Sequence, residues 1–201
     1  MMRILIATMN QGKRREYERL LADVPGLELE TMASLAESVN VVEDRNTFGG
    51  NALKKATEIA KIAGMPCLAD DSGLEVDALG GRPGVYSARY AGEGATDAQN
   101  NAKLLDELSG TDDDARTARF RCAIALVDES GRQLATAEGA CEGRIGRKLQ
   151  GAHGFGYDPL FVPDGYTQTM GELGPEIKNN ISHRAQASAK LVLSLRELQN
   201  R

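Results

Sequence analysis

Two adjacent carboxylates, Asp70 and Asp71, end the short apolar run Cys67-Leu68-Ala69 and lead into Ser72-Gly73. A buried strand that delivers acids at its C-terminal end, into a glycine-containing turn, is where open α/β sheets keep their chemistry. The plainer alternative is an Asx-type turn that only caps a strand. A second set follows the apolar segment Arg3 to Ala7: Thr8-Met9-Asn10-Gln11-Gly12-Lys13 carries a lysine to the start of a helix. Free backbone N–H groups, the positive end of a helix dipole and one mobile ammonium make a phosphate site. It is not a P-loop, because G-x-x-x-x-G-K-[ST] occurs nowhere in the chain. Glu43 adds a further acid, and the glycine-aromatic loop 151–158 (GAHGFGYD) and the segment 178–184 (KNNISHR) add an aromatic, Phe155, an acid, Asp158, and the cationic or donor side chains Lys178, His183 and Arg184. Jointly these loops hold what a nucleoside triphosphate needs. Lysines and helix N-termini suit phosphates, and two carboxylates suit Mg²⁺, which takes one or two acids together with phosphate oxygens and water. An aromatic suits the face of a base and donors suit its edge.

The elements that must position these residues follow from periodicity. Arg3 to Ala7 reads as a buried strand, and Arg14 to Ala22 as a helix with Tyr17, Leu20 and Leu21 on one face and Asn10 as N-cap. Leu27 to Thr31 reads as a second strand, and Ser34 to Asn46 as a polar stretch with Val39, Val41 and Val42 extended. Thr47 caps a helix over Phe48 to Ala63 that Gly64 stops, with Pro66 beyond it. The acid-bearing strand comes next, so its neighbours are expected to be parallel. Gly73 to Gly94 reads as a long ordered loop, and Thr96 to Gln99 has capping-box form and opens a helix to about Leu108. Gly110 to Asp114 is a polar connector and a candidate seam between lobes. Thr117 to Val127 alternates as a strand and Gln133 to Cys141 returns as its hairpin partner. Pro159 to Pro163 is a short strand. Ser182 caps the last helix, whose buried face is Ala187, Leu191, Val192, Leu195 and Leu198. That places His183 and Arg184 in its first turn, where the dipole disfavours cations, so they are expected to meet an anion or an acceptor.

Composition narrows the classes. The chain has 201 residues and a net charge of −5, which argues against nucleic-acid and membrane-surface binding, since both usually call for a basic excess. Its three cysteines are widely spaced and lie in or beside apolar runs, so they read as reduced core residues of a cytoplasmic protein. The apolar part of Met1 to Ala7 is too short for a signal peptide, and no window is long enough to span a membrane.

The motifs together resemble the inosine triphosphatase family of nonstandard purine nucleoside triphosphate pyrophosphatases. They are Thr8-x-Asn10-x-Gly12-Lys13, Glu43 with Thr47-Phe48-x-x-Asn51-Ala52, Leu68 to Leu74, Pro83 to Tyr90, Gly154 to Pro159, and Ile181 to Arg184, in order along nearly the whole chain. The resemblance implies an α/β fold with an elongated mixed β-sheet flanked by helices, forming one domain, 1–201, of two lobes with a cleft between them. It implies hydrolysis of ITP, dITP and XTP to the monophosphate and pyrophosphate, with Mg²⁺, in a homodimer. Residue by residue, Asp71 matches the catalytic acid and a metal ligand, and Glu43 the other metal ligand. Thr8, Met9, Asn10, Gln11, Gly12, Lys13 and Lys178 match phosphate-binding positions. Ser72, Phe155, Gly156, Tyr157, Asp158, His183 and Arg184 match positions around sugar and base.

Two departures stand out. The family pattern carries an acid where this chain has Gly50, and a glycine-containing pair where it has Arg45-Asn46. The absent acid would sit at the third helical position after Thr47, where it is the reciprocal half of a capping box; the alternative is an acid that also helps hold metal or water, whose loss would reduce activity. On sequence alone, Gly50→Glu is therefore expected to raise stability with little change in turnover. Two other readings remain open: a pyrophosphatase for other modified nucleotides, and a catalytically weak nucleotide-binding module.

Overall fold

The structure, a computed structural model, describes residues 1–35 and 39–200. Its main elements are β1 (Met2–Ile6), α1 (Gln11–Leu20), β2 (Leu27–Thr31), α2 (Phe48–Ala63), β3 (Cys67–Val76) and α3 (Asp97–Glu107), then β4 (Thr117–Val127), β5 (Gln133–Ile145), β6 (Phe161–Pro163), α4 (Met170–Ile181) and α5 (His183–Gln199). The strands form one six-stranded sheet in the order β2-β1-β3-β4-β5-β6. β1 runs parallel to both β2 and β3, and β6 is antiparallel to β5, so the sheet is mixed. Among the described residues, no helix is long and apolar enough to cross a membrane.

The chain divides into two compact units, each built from separated segments. Unit 1 comprises Met1–Asp71, Cys122–Gly139 and Arg184–Arg201, and unit 2 comprises Ser72–Arg121 and Ala140–His183. In unit 1 both faces of the sheet are covered. Ile4, Ile6, Leu68, Cys122, Ile124 and Leu126 pack with Tyr17 and Leu21 of the α1 region and with Ala187, Leu191 and Leu195 of α5. The alternate residues Leu5, Ala7, Cys67, Ala69, Ala125 and Val127 pack with Ala52, Ala56, Ile59 and Ala60 of α2. Strands buried on both faces read as continuous apolar runs, which is how β1 and the start of β3 look in the sequence. Unit 2 has its own core, in which Leu74, Val76, Leu104, Leu108, Phe120, Tyr157 and Phe161 take part. All three cysteines are buried and free, as expected.

Several boundaries follow the sequence reading. Leu27–Thr31 and Phe48–Ala63 keep their expected bounds, Thr47 Oγ1 accepts the Gly50 N–H at 3.1 Å, and Gly64 closes the helix with φ +63°. The Thr96 capping box forms with Gln99. Other expectations change. Asp70-Asp71-Ser72-Gly73 is not a turn: β3 runs straight through it to Val76. α1 starts at Gln11 rather than Arg14, because Asn10 Oδ1 takes the Lys13 N–H at 3.0 Å and so sets the first turn. α4 has no counterpart in the sequence reading, since Gly174 and Pro175 look like breakers. The helix kinks at Gly174 (φ +77°, ψ 176°), which leaves Pro175 to open a fresh turn where its missing N–H is harmless. Gly110 to Asp114 is no seam, lying well inside unit 2, and the chain changes units instead after Asp71, Arg121, Gly139 and His183. β5 continues to Ile145, and the strand expected from Pro159 begins at Phe161. Residues 39–45 have no regular structure, and residues 36–38 of that expected polar stretch lie outside the described residues.

Candidate active site

In unit 1 the continuity of β3 decides what its two acids do, because successive side chains of a strand point to opposite faces. Asp70 falls on the face of Leu68 and Cys122. Its Oδ2 meets Lys13 Nζ at 3.0 Å and Arg184 Nη2 at 2.9 Å, and Arg184 also pairs with Glu16 of α1. Arg184 is 0 % exposed, with its guanidinium carbon 5.7 Å from the centre of the Tyr17 ring. Burial alone would push the Asp70 carboxyl up, but Lys13, Arg184 and Lys55 hold it well below the usual carboxylate range. The four charges sum to zero, which is the condition for keeping such groups out of water.

Asp71 falls on the other face, toward α2. Its Oδ2 accepts from Asn51 Nδ2 at 2.9 Å, and Asn51 Oδ1 in turn accepts the Arg45 N–H at 2.8 Å. Asn51 thus ties the acid to the segment that carries Glu43. The Glu43 carboxylate pairs with Lys55, one turn beyond Asn51 on α2. The Asp71 carboxyl is pushed above its ordinary value by burial and next by the negative charge of Glu43, against the opposing pull of Lys13, Asn51 and Lys55. Burial disfavours the Lys55 ammonium, yet Asp70, Glu43 and Asp71 together hold its pKa above normal. At the head of α1, Thr8 Oγ1 accepts the Asn10 N–H at 3.2 Å, and the N–H groups of Gln11 and Gly12 lie in the first turn, where no intrahelical acceptor exists. Met9 beside them is 69 % exposed.

In unit 2 a second cluster forms from the expected residues. Asp158 Oδ2 accepts from Phe155 N at 2.9 Å and from Lys178 Nζ at 2.5 Å, and that ammonium lies 4.4 Å from the centre of the Phe155 ring. Gly154 takes φ +82°, and a Cβ there would come within 2.0 Å of Asp158 Oδ2, so only glycine fits. Lys178 therefore stands with the aromatic loop. Tyr157 is a core residue, its hydroxyl donating to the Ser87 carbonyl at 2.8 Å. His183 is buried and stacked on Phe120, ring centres 4.9 Å apart. Ser72 opens the unit, half-buried. The expectation that His183 and Arg184 meet an acceptor holds for Arg184, whose acceptors are this chain's own Glu16 and Asp70.

Sequence reasoning missed Asn51, Lys55 and Glu16 as members of these clusters. The signal was present: Asn51 and Lys55 sit four apart beside the apolar stripe of α2, and Glu16 adjoins Tyr17 on a buried face. Among the described residues, no group of three or more His, Cys, Asp and Glu is arranged to hold a metal. In unit 1 the charge of Glu43 bears on the Asp71 carboxyl, and two such acids are a donor set that suits Mg²⁺, because that ion keeps several waters and draws its remaining ligands from substrate phosphates.

The sequence matches the model of the Ham1 family over residues 4–193. It is 52 % identical over 197 residues to a dITP/XTP pyrophosphatase of Desulforamulus reducens, covering 98 % of this chain and 97 % of that one. It is 46 % identical to a dITP/XTP pyrophosphatase of Bacillus subtilis, covering 93 % of each. The fold is similar to that of a HAM1 protein from Coxiella burnetii (TM-score 0.88, 41 % identity, 98 % of this chain and 100 % of that one). It is also similar to the Ham1 protein of Staphylococcus aureus (TM-score 0.85, 38 % identity, 97 % and 98 %).

Proposed function

The chain belongs to the Ham1 family, and from that premise we propose that it hydrolyses nonstandard purine nucleoside triphosphates, dITP, ITP and XTP, to the monophosphate and pyrophosphate. The observation that carries the reading is Asp71: a buried carboxylate, held at one oxygen by Asn51 and made more basic by burial and by Glu43. Asp71 takes a proton from the attacking water. The water oxygen bonds to the α-phosphorus, the bond from that phosphorus to the bridging oxygen breaks, and pyrophosphate leaves with the electron pair. Lys13 and the first N–H groups of α1 bind phosphate oxygens, while Asp70, itself fixed by Arg184, holds Lys13 at its station. Glu43 and Asp71 would hold Mg²⁺, which when bound neutralises charge on the phosphates. Phe155 offers its ring to the base, with the Lys178 ammonium 4.4 Å from the ring centre and paired with Asp158, and Ser72 and His183 serve sugar and base. A 6-oxo purine is separated from adenine by donors aimed at that edge, since a donor facing the adenine amino group costs about 1–3 kcal/mol. The same reading takes the protein to be a cytoplasmic homodimer that acts on free nucleotides, with no nucleic-acid or membrane partner.

The test is pyrophosphate release with Mg²⁺ from dITP, ITP, XTP, dATP, dGTP, CTP and UTP, with Asp71→Asn alongside. Release from the first three, lowered roughly 10²–10⁴-fold in Asp71→Asn, is expected for loss of a general base. Activity confined to pyrimidine nucleotides would overturn the base reading, and full activity in the variant would overturn the catalytic one.

A further inference from the structure

The loop Phe155–Asp158 is gripped from outside at Gly156. The Gly156 N–H donates to Asp97 Oδ2 at 2.6 Å, and the Gly156 carbonyl accepts from Asn101 Nδ2 at 2.9 Å. Asp97 is the first residue of α3 and Asn101 lies one turn on, so both project from one face of that helix. The start of α3 is itself fixed, with the Thr96 N–H donating to Gln99 Oε1 at 2.8 Å and the Gln99 N–H to Thr96 Oγ1 at 3.3 Å. All of these residues belong to unit 2. The Gly156 N–H belongs to the peptide that joins it to Phe155, and the Phe155 N–H is already bonded to Asp158 Oδ2. The peptide groups on both sides of Phe155 are therefore fixed, one by Asp158 and the other by Asp97, and with them the direction in which its side chain leaves the backbone. Glycines at 151, 154 and 156, all at positive φ, would otherwise leave this stretch with wide backbone freedom.

We propose that Asp97 and Asn101 are positioning residues for base recognition: by clamping the peptides on either side of Gly156 they hold the Phe155 ring where a purine base stacks on it. This rests on the reading of Phe155 as the base-facing aromatic. Neither residue touches substrate in this proposal, and neither moves a proton. The clamp acts on binding and on the choice of base, and leaves the phosphate chemistry of Asp71 alone.

The experiment is steady-state hydrolysis of dITP and dATP, with melting temperatures, for Asp97→Ala, Asp97→Asn, Asn101→Ala and Phe155→Ala. Asp97→Ala and Asn101→Ala are expected to raise KM for dITP roughly tenfold, the factor for ordering about one backbone residue on binding. They should also narrow the dITP-to-dATP ratio of kcat/KM, with kcat within about twofold of the parent. Asp97→Asn keeps an acceptor for the Gly156 N–H and should restore the parent KM. If the alanine variants lower kcat and melting temperature together while KM and the base ratio stay put, Asp97 and Asn101 only stabilise the fold and the proposal fails. If Phe155→Ala raises KM and the two clamp variants do not, the clamp is refuted while the base-facing role of Phe155 survives. If Phe155→Ala itself leaves KM and the ratio unchanged, both ideas fall.

Discussion

Gly50→Glu made alone should destabilise the protein, and made in an Arg45→Gly background it should be stabilising. A Cβ at Gly50 would lie 2.9 Å from Thr47 Oγ1 and 3.1 Å from Arg45 Cβ. Neither neighbour yields easily: Thr47 Oγ1 holds the Gly50 N–H, and the Arg45 backbone is tied to Asn51. Overpacking there costs about 1–3 kcal/mol, and disturbing the cap about 1 kcal/mol more. Against this stand about 1 kcal/mol from removing a helical glycine and up to about 1.5 kcal/mol from completing the capping box. The single variant should therefore lose about 1 kcal/mol, the middle of those opposing ranges. With Arg45 cut back to glycine the first turn of α2 can shift into the vacated space. The glutamate should then gain about 1–2 kcal/mol, for a coupling of about 2–3 kcal/mol between the sites. Equilibrium urea unfolding of the parent, both single variants and the double variant measures that coupling directly, because the cycle subtracts the effect of Arg45→Gly itself. Additivity to within about 0.5 kcal/mol would refute the reasoning, and so would a stabilised Gly50→Glu single variant. The Arg45 stem lies 3.1 Å from where a side chain at position 50 would begin, and that contact links the two positions.

Asn51→Ala removes the donor to Asp71 and the acceptor for the Arg45 N–H. It should cost about 1–3 kcal/mol of stability by urea unfolding, as the buried Asp71 carboxylate loses a donor, and should lower kcat for dITP; parent-like values of both would sink the tether. Arg184→Met leaves Glu16 and Asp70 buried without their guanidinium and should cost about 3–5 kcal/mol, read as a fall in urea midpoint at neutral pH. The thiols of Cys67 and Cys122, pushed up to about 12 by burial, and of Cys141, pushed up to about 11, should resist iodoacetamide at pH 8 in the native protein and react fully in urea. The Asp77 carboxyl is held below its ordinary value by bonds from Arg119 (2.9 and 3.0 Å) and from Thr117 (2.7 Å). Its folded pKa lies below its unfolded one, so its stabilisation is complete above about pH 4 and fades as pH falls through the depressed value. Melting temperatures should therefore drop less steeply below about pH 4 in Asp77→Asn than in the parent.

Much of the fold was legible because its strands and helices differ in period. α2 could be read to the residue from Thr47, its alanine stripe and Gly64, and β4 from its alternation. α4 was hidden because a kink at Gly174 splits its period and Pro175 looks like a stop. The DDSG string was misjudged because its residues favour turns in isolation, whereas pairing within the sheet carries β3 through them. For the candidate site, Asp71, Lys13, Phe155, Asp158 and Lys178 were readable as residue types beside strand or helix ends. Their partners were not, because partnership is a matter of tertiary distance. Glu16 and Arg184 lie 168 positions apart in the chain, and nothing local marks them as a pair.

Unit 1 is made from three segments, Met1–Asp71, Cys122–Gly139 and Arg184–Arg201, with the segments of unit 2 between them, and that sets an order in time. During synthesis, which adds about 5–20 residues each second, every segment of unit 2 has been produced before Arg184 is added. The sheet face of Ile4, Ile6 and Leu68 must wait for Ala187, Leu191 and Leu195, which are among the last of its partners to emerge. Until then Glu16 and Asp70 have no guanidinium between them. Residues 1–71 are thus made well before the helix that covers this face, and a growing chain carries the acids of its candidate site on a half-covered sheet until α5 arrives.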